Sequence, residues 1–159
     1  MSTLKGFTFI EFVIVLIIIS VLVAIAIPMW PGTSINASAQ ADQVAADILY
    51  TQTLSLTTGE RHRFVRLSTT TYQIQDSTGT AIRNPGAGAT TITLNSGITF
   101  GTFTNLPNNL IVFDGKGIPY TTTAIPGTTL AAIASIPIVS ASLTKTIQIR
   151  PTTGWISVS

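Results

Sequence analysis

Cysteine is absent from this chain of 159 residues, histidine occurs once, and only 9% of the residues are charged. Without cysteine there is no disulfide framework, no thiol nucleophile and no thiolate ligand for a metal. A formal net charge of only +2 argues against a nucleic-acid binder that acts through bulk positive charge. The scarcity of charge also excludes a charge-rich disordered chain, and the length allows one ordinary domain.

A long apolar stretch lies near the start of the chain. Residues 7–27 are apolar except for Thr8, Glu11 and Ser20. A helix of this length, at about 1.5 Å per residue, spans roughly 31 Å, which is close to the hydrocarbon thickness of a bilayer. The run is too long for the core of a cleaved secretory signal. These residues therefore predict a membrane-spanning helix.

Two charged residues in this region carry information on topology. Lys5 is the only charge before the apolar run, so the positive-inside rule predicts a cytoplasmic N-terminus and places the chain from Pro28 onward outside. A carboxylate within the run costs up to a few kcal/mol in lipid, depending on its depth. Either Glu11 lies near the interface at the positive end of the helix, or it needs a cationic partner from another chain.

Residues 5–11, Lys-Gly-Phe-Thr-Phe-Ile-Glu, followed by the apolar run and by Pro28, resemble the class III leader of type IV pilins and type II secretion pseudopilins. The resemblance implies that a prepilin peptidase cuts between Gly6 and Phe7 and methylates the new amine of Phe7. It further implies that Glu11 pairs with the Phe7 amine of a neighbouring subunit when the helix moves from the bilayer into a filament. Pro28 then marks the kink common in these proteins.

A second helix is predicted between Pro28 and Gly59. Thr33 and Ser34 are suitable N-caps, and Gly59 is a plausible terminator. The predicted core-facing positions are Ala41, Val44, Ala45, Ile48 and Leu49, and the predicted solvent-facing positions are Asp42, Gln43 and Asp47. Because these positions follow helical spacing, the segment is expected to be amphipathic and to pack on a core.

After Gly59 the sequence is rich in threonine, isoleucine, valine and aromatic residues, which predicts strands. The predicted strands are 61–67, 71–76, 90–94, 98–104, 110–114, 118–123, 144–150 and 155–158. Residues 95–97 and 114–117 are predicted hairpin turns, and 152–154 turns the last pair. Residues 83–89 read as a loop, and 126–137 show no clear pattern. Phe113 and Trp155 are expected in the core.

These predictions give an α+β fold, in which a long N-terminal helix packs on an antiparallel β-sheet domain. This arrangement agrees with the lollipop shape that the pilin resemblance implies. The expected organisation is a cleaved cytoplasmic leader over residues 1–6, a transmembrane and filament-core helix over 7–27, the amphipathic half of the helix over 28–58, and a threonine-rich β domain over 59–159.

The second half of the chain also resembles the GspH/FimT class of minor pilins and pseudopilins. The resemblance rests on the helix and first two strands over 45–74, the Phe-x-x-x-Gly turn at 113–117, and the final hairpin at 147–156. The chain lacks the C-terminal disulfide loop of many major pilins. Asp114 is the only carboxylate after Asp76, so no acidic loop resembles the calcium site of major pseudopilins.

One basic cluster in the β region offers a candidate binding site. Arg61, Arg63 and Arg66 could contact the phosphates of DNA, as the competence branch of the FimT class would suggest, or they could form the solvated start of a strand. His62, the only histidine, has no neighbouring partner besides Glu60 for metal binding or acid–base chemistry. No catalytic residue, metal site or cofactor is predicted.

The resulting hypothesis is a structural subunit and not an enzyme: a minor pilin or pseudopilin of a bacterial type IV pilus or type II secretion pseudopilus. Its expected partners are prepilin peptidase, other pilin or pseudopilin subunits and the inner-membrane assembly platform. It would cross the inner membrane once, with a periplasmic C-terminal domain, and then enter the filament. The alternatives are a competence-type minor pilin that binds DNA, and the major subunit of the filament.

Overall fold

The computed structural model describes residues 8–26 and 32–159, which form two helices followed by ten strands. The helices are α1 (Phe9–Ala26) and α2 (Gly32–Thr58). The strands are β1 (His62–Arg66), β2 (Thr71–Gln75), β3 (Ala81–Ile82), β4 (Thr91–Thr93), β5 (Thr99–Phe100), β6 (Leu110–Phe113), β7 (Pro119–Tyr120), β8 (Ala134–Val139), β9 (Thr144–Ile149) and β10 (Ile156–Val158). Two compact units, Met1–Gly32 and Thr33–Ser159, make up the chain.

Helix α1 belongs to the first unit. Its side chains from Ile14 to Ile19 are all exposed and all apolar, and because they are consecutive they occupy every side of the helix. Across residues 8–26 and 32–159, no helix is both long enough and apolar enough to cross a membrane.

Helix α2 buries one stripe against the β domain. The stripe consists of Ala37, Ala41, Val44, Ile48, Thr51 and Ser55. Spacings of three and four residues keep these side chains on one face of a helix, as the sequence predicts. The helix ends at Thr58, and Gly59 follows with a φ of 73°, a left-handed conformation that glycine adopts without steric cost. The predicted helix and its terminator are therefore confirmed, but the helix already begins at Gly32, so Thr33 and Ser34 lie inside it and are not its N-caps.

Two positions of α2 differ from the prediction. Asp47, expected on the solvent face, is only 9% exposed, whereas Leu49, expected in the core, is 53% exposed. The buried stripe includes Val44, Ile48 and Thr51. Position 47 lies at the edge of this stripe, and position 49 points away from it. Asp47 tolerates burial because the Tyr72 hydroxyl donates a hydrogen bond to its carboxylate.

The strands form two antiparallel sheets where the sequence suggested one. In the first sheet the order is β3-β2-β1-β6-β7, with β4 also paired to β2, and in the second it is β10-β9-β8-β5. Every strand pair is antiparallel. The structure thus confirms the predicted α+β class with antiparallel sheets.

The aromatic centre of the core joins the two sheets. Phe64 of β1 and Tyr72 of β2 lie with ring centroids 4.9 Å apart, and Phe100 of β5 meets the Tyr72 ring edge-on at 5.8 Å. Phe100 in turn contacts Phe103 at 5.6 Å. The buried alanine, valine and isoleucine side chains of α2 belong to the same hydrophobic cluster, so the helix and both sheets share one core.

One feature of the β domain was misassigned from sequence, and one strand was not predicted. Residues 95–97 form a turn, but it leads from β4 in the first sheet to β5 in the second and so closes no hairpin. Strand β8 lies between β9 and β5 and contains Pro137, a residue that weakens a strand prediction. The segment that follows β5 stays bonded to β8 here, since the Gly101 N–H donates to the Pro137 carbonyl at 2.8 Å, and the missing side chain of Gly101 leaves room for the proline ring.

Candidate interaction surfaces

Of the residues that the sequence assigns to processing and assembly, Glu11 alone belongs to the described part of the chain. Gly6, Phe7 and Pro28 lie outside the described residues. The predicted cleavage, methylation and kink therefore stay predictions. Glu11 lies in the first turn of α1.

Thr8 and Glu11 cap the start of α1 reciprocally. The Thr8 backbone N–H donates to Glu11 Oε2 at 2.9 Å, and the Thr8 hydroxyl donates to the same oxygen at 2.8 Å. The Glu11 backbone N–H lies 3.4 Å from the Thr8 hydroxyl oxygen, which completes the capping box. Within the described chain these bonds engage only Oε2, so Oε1 can accept a further donor.

The remaining polar side chain of α1 is satisfied within the helix. The Ser20 hydroxyl donates to the Leu16 carbonyl at 2.7 Å, the back-bond that serine makes to the preceding turn. The helix therefore presents hydrocarbon on all sides, with one carboxylate at its N-terminal end. Such a surface suits lipid or a bundle of similar helices.

The three arginines of the proposed DNA site make separate intramolecular contacts. Arg61 donates to the Ala124 carbonyl at 2.6 Å and lies over the Tyr120 ring. Arg63 donates to the Gln75 side chain at 2.9 Å, on the side of β1 that Arg61 also faces. Arg66 lies elsewhere, where it donates to the Gly101 carbonyl at 2.8 Å and covers the Phe103 ring. The structure therefore places Arg61 and Arg63 near each other and Arg66 apart from them.

His62 and Ser55 join the end of α2 to β1. The His62 backbone N–H donates to the Ser55 hydroxyl oxygen at 3.1 Å, and that oxygen also lies 3.1 Å from the Phe113 carbonyl. His62 is buried beneath the helix. In the part of the chain that the structure describes, no three histidine, aspartate or glutamate side chains converge as a metal site requires.

A groove runs between α2 and the C-terminal hairpin formed by β9 and β10. It has a volume of about 760 Å³, and its lining residues are Ala45, Ala46, Leu49, Gln52, Arg150, Thr153, Trp155 and Ile156. Trp155, expected in the core, is 64% exposed here. Its side chain lines the groove and does not lie between the sheets. The sequence analysis did not identify this surface.

Gln52 of α2 fixes the two turns that border this groove. Its side-chain amide donates to the Gly117 carbonyl at 3.0 Å and to the Thr153 carbonyl at 3.1 Å. Gly154, with a φ of 65°, has no room for a side chain because a Cβ there would strike the Gln52 amide and the Gly117 carbonyl. One buried glutamine thus holds α2, the β6–β7 turn and the β9–β10 turn together. Nothing in the sequence distinguishes Gln52 from its polar neighbours.

Three solved structures resemble this chain. The type IV minor pilin FimU of Pseudomonas aeruginosa aligns with a TM-score of 0.53 and 12% identity, over 77% of this chain and 91% of FimU. A second crystal form of FimU gives a TM-score of 0.54 and 11% identity, over 77% and 87%. The minor pseudopilin EpsH of the Vibrio cholerae type 2 secretion system aligns with a TM-score of 0.53 and 10% identity, over 78% and 96%.

No protein-family model matches this sequence, and neither does any curated protein sequence. The structural alignments define the class of fold: an α+β arrangement of helices and antiparallel sheets shared with a minor pilin and a minor pseudopilin. The chain therefore has the type IV pilin and pseudopilin fold, as its N-terminal sequence suggested.

Proposed function

We propose that this chain is a structural, non-enzymatic subunit of a bacterial type IV pilus or type II secretion pseudopilus. The observation that carries the proposal is the pilin fold in a chain whose α1 is apolar on all sides, apart from one capped carboxylate near its start. Hydrocarbon on every face of a helix is stabilised by lipid or by other helices, and a filament core supplies the second environment after the bilayer supplies the first.

The proposed organisation follows the leader resemblance. Residues 1–6 are removed by prepilin peptidase on the cytoplasmic side, and the amine of Phe7 is methylated. Residues 7–27 hold the protein in the inner membrane and later lie in the filament core, with Pro28 at the kink. Residues 28–58 continue the helix, and 59–159 form the periplasmic β domain. The assembly platform of the inner membrane moves the subunit between the two environments.

Glu11 is the residue proposed to direct assembly. Thr8 holds one of its carboxylate oxygens and leaves the other able to accept a donor. Within an apolar bundle a carboxylate needs a cation, because charge is costly away from water and opposite charges attract more strongly there. The Phe7 amine of a neighbouring processed subunit supplies that cation.

A minor-subunit role is favoured over the major one because, of the two similar solved proteins, FimU is a minor pilin and EpsH is a minor pseudopilin. The competence-type alternative, DNA capture through Arg61, Arg63 and Arg66, gains no support from geometry. Each guanidinium bonds a carbonyl or an amide of its own chain, and Arg66 lies apart from Arg61 and Arg63, so the three do not form one phosphate-binding cluster.

The proposal is tested by Glu11→Ala in the full chain, expressed in a bacterium whose filaments can be sheared and collected. We expect cleavage after Gly6 to continue and the amount of the protein in filaments to fall about tenfold, since the assembly ion pair is lost. Ser20→Ala is the matched control, because Ser20 is the other described polar side chain within α1 and bonds only its own helix. Equal incorporation of Glu11→Ala and wild-type protein contradicts the assembly role.

A further inference from the structure

Strand β10 lies at one edge of its sheet, because the strand order is β10-β9-β8-β5. Facing residues of an antiparallel pair alternate between those that exchange backbone hydrogen bonds and those that do not. Thr146 of β9 and Ser159 exchange two such bonds, at 2.9 and 3.0 Å. Ile156 and Val158 occupy the alternate positions of the same register. Their backbone N–H and C=O groups therefore point away from β9, along the open edge of the sheet.

These outward backbone groups have no partner in the part of the chain that the structure describes. The hydrogen bonds of this region either join β10 to β9 or lie in the turn before it, and none reaches the outward side of Ile156 or Val158. Proteins usually protect such an edge with a charge, a proline or a bulge. Residues 155–158, Trp-Ile-Ser-Val, contain neither charge nor proline, and their register with β9 is regular. The edge of β10 can therefore bond an additional strand.

The open edge borders the groove between α2 and the C-terminal hairpin. Ile156 lines this groove on one side, and Ala45, Ala46 and Leu49 of α2 line it on the other. The groove volume of about 760 Å³ lies within the range of roughly 300–1,000 Å³ found for ligand sites. A strand added to the sheet would lie about 4.8 Å from β10. The two alanines of α2 leave room for its side chains.

Two side chains of the hairpin indicate which strand would fit. Arg150 is the one charged residue of the groove lining, and across residues 8–26 and 32–159 its guanidinium forms no ion pair or hydrogen bond. Trp155, which faces Arg150 across the hairpin, is more than half exposed. A carboxylate on the same face of an added strand would lie two strand spacings from Arg150, about 10 Å between backbones, which the two side chains can span. Tryptophan and arginine are also the residues enriched where interfaces gain most of their stability.

A second copy of this chain does not offer a strand of that kind. All six acidic residues lie in helices or between elements, and none belongs to a described strand. Asp76 and Asp114, in the β domain, also accept hydrogen bonds within their own turns. Charge complementarity with Arg150 therefore points to a segment from another protein.

We propose that the groove binds an extended, acidic segment of a different protein, which adds a fifth strand to the sheet beside β10. The backbone groups of Ile156 and Val158 bond the segment, its apolar side chains pack against the α2 wall, and Arg150 pairs with its carboxylate. In this mode of recognition the main-chain bonds give affinity and the side-chain contacts give specificity. Binding of this kind requires neither removal of residues 1–6 nor entry into a filament, so it goes beyond the proposed structural role.

Selection from a displayed library of random heptapeptides, with the purified full chain held in detergent, tests the side-chain part of the proposal. We expect the enriched peptides to alternate apolar residues with positions that include glutamate or aspartate. Arg150→Glu should bind them about tenfold more weakly, because it places like charges together. Lys116→Glu is the matched control, since Lys116 is exposed and lies outside the groove lining. If no peptide is enriched, or if Arg150→Glu binds as well as the control, the proposal is wrong.

Ile156→Pro tests the backbone part. It removes the outward N–H and leaves the bonds between β10 and β9, and an edge strand accepts proline at such a position. Ile156→Ala is the matched control, because it also shortens the side chain but keeps the N–H. We expect Ile156→Pro to bind the selected peptides about fivefold more weakly than Ile156→Ala, which is the effect of losing one hydrogen bond. Equal affinities of the two variants contradict strand addition.

Amide hydrogen exchange of the wild-type chain gives a readout that needs no substitution. Without peptide, the N–H groups of Ile156 and Val158 should exchange faster than those of Ser157 and Ser159, which face β9. A bound peptide should slow exchange at Ile156 and Val158 about tenfold or more. An occupant that binds as a helix, or through side chains alone, leaves these two amides fast, and that result overturns the proposal.

Discussion

A hydrogen bond between Tyr72 and Asp47 joins β2 to α2 inside the core. Tyr72 Oη lies 2.5 Å from Asp47 Oδ2, the tyrosine is fully buried, and the aspartate is 9% exposed. Burial first, and then the neighbouring carboxylate, raise the pKa of Tyr72 far above that of a free phenol. The hydroxyl therefore stays protonated and donates. Tyr72→Phe removes this donor and leaves the carboxylate buried.

The cost of Tyr72→Phe follows from that geometry. A hydrogen bond to a charged group contributes about 1.5–3 kcal/mol to stability, and a buried carboxylate without a donor is destabilising by a similar amount. The ring stays, so the contacts with Phe64 at 4.9 Å and Phe100 at 5.8 Å are kept. We expect a loss of about 2 kcal/mol in the free energy of unfolding. For a unit of this size that lowers Tm by roughly 6–10 °C.

Urea unfolding of the compact unit Thr33–Ser159, followed by circular dichroism at neutral pH, measures this loss. Tyr120→Phe is the control, because Tyr120 donates to the half-buried Asp114 at 3.2 Å and its loss should cost less than about 0.5 kcal/mol. Asp47→Asn should recover stability in the Tyr72→Phe background, since a neutral amide is less costly to bury. The reasoning is refuted by a Tyr72→Phe variant within about 0.5 kcal/mol of wild type.

Three further predictions concern the β domain. Gly154→Ala should destabilise by about 2–4 kcal/mol because a side chain there strikes the neighbouring turn, whereas Gly97→Ala, with positive φ but open space, should cost only about 1 kcal/mol in the same unfolding assay. Hydrogen bonds from the Thr78 hydroxyl and nearby backbone amides lower the pKa of Asp76, so its contribution to stability is present above the unfolded pKa near 4 and is lost as pH falls through the folded value. A pH series should therefore show wild type and Asp76→Asn converging in acid, and a constant difference contradicts this. Titrating Thr33–Ser159 with duplex DNA at two salt concentrations should show no salt-dependent binding. If such binding is observed, it supports the alternative that Arg61, Arg63 and Arg66 contact DNA.

Periodicity in the sequence predicted the helices and most strands, but it did not predict which side chains at the edges of the buried stripe of α2 are buried. Val44 and Ile48 follow the 3.6-residue repeat and are buried as expected. Asp47 is buried and Leu49 is exposed, the reverse of the prediction. Asp47 tolerates burial because Tyr72, far along the chain, donates a hydrogen bond to its carboxylate. Local spacing carries no information on such a partner, so the burial of an aspartate could not be predicted from it.

The candidate surfaces were likewise only partly predictable from the sequence. Glu11 was identifiable because a carboxylate is conspicuous in an apolar run. The groove at Trp155 was not, because it forms only when the last hairpin packs beside α2, and a tryptophan in a strand region ordinarily predicts a core position. Strand β8 was also missed, since a proline weakens a strand prediction and the close approach of Gly101 to Pro137 cannot be read from local sequence.

The central claim is that this chain is a processed pilin-type subunit, and the intact mass of the full-length protein recovered from membranes tests it most directly. The expected mass is that of residues 7–159 plus one methyl group, with fragmentation locating the methyl on the amine of Phe7. A mass that still includes residues Met1 to Gly6 contradicts the claim.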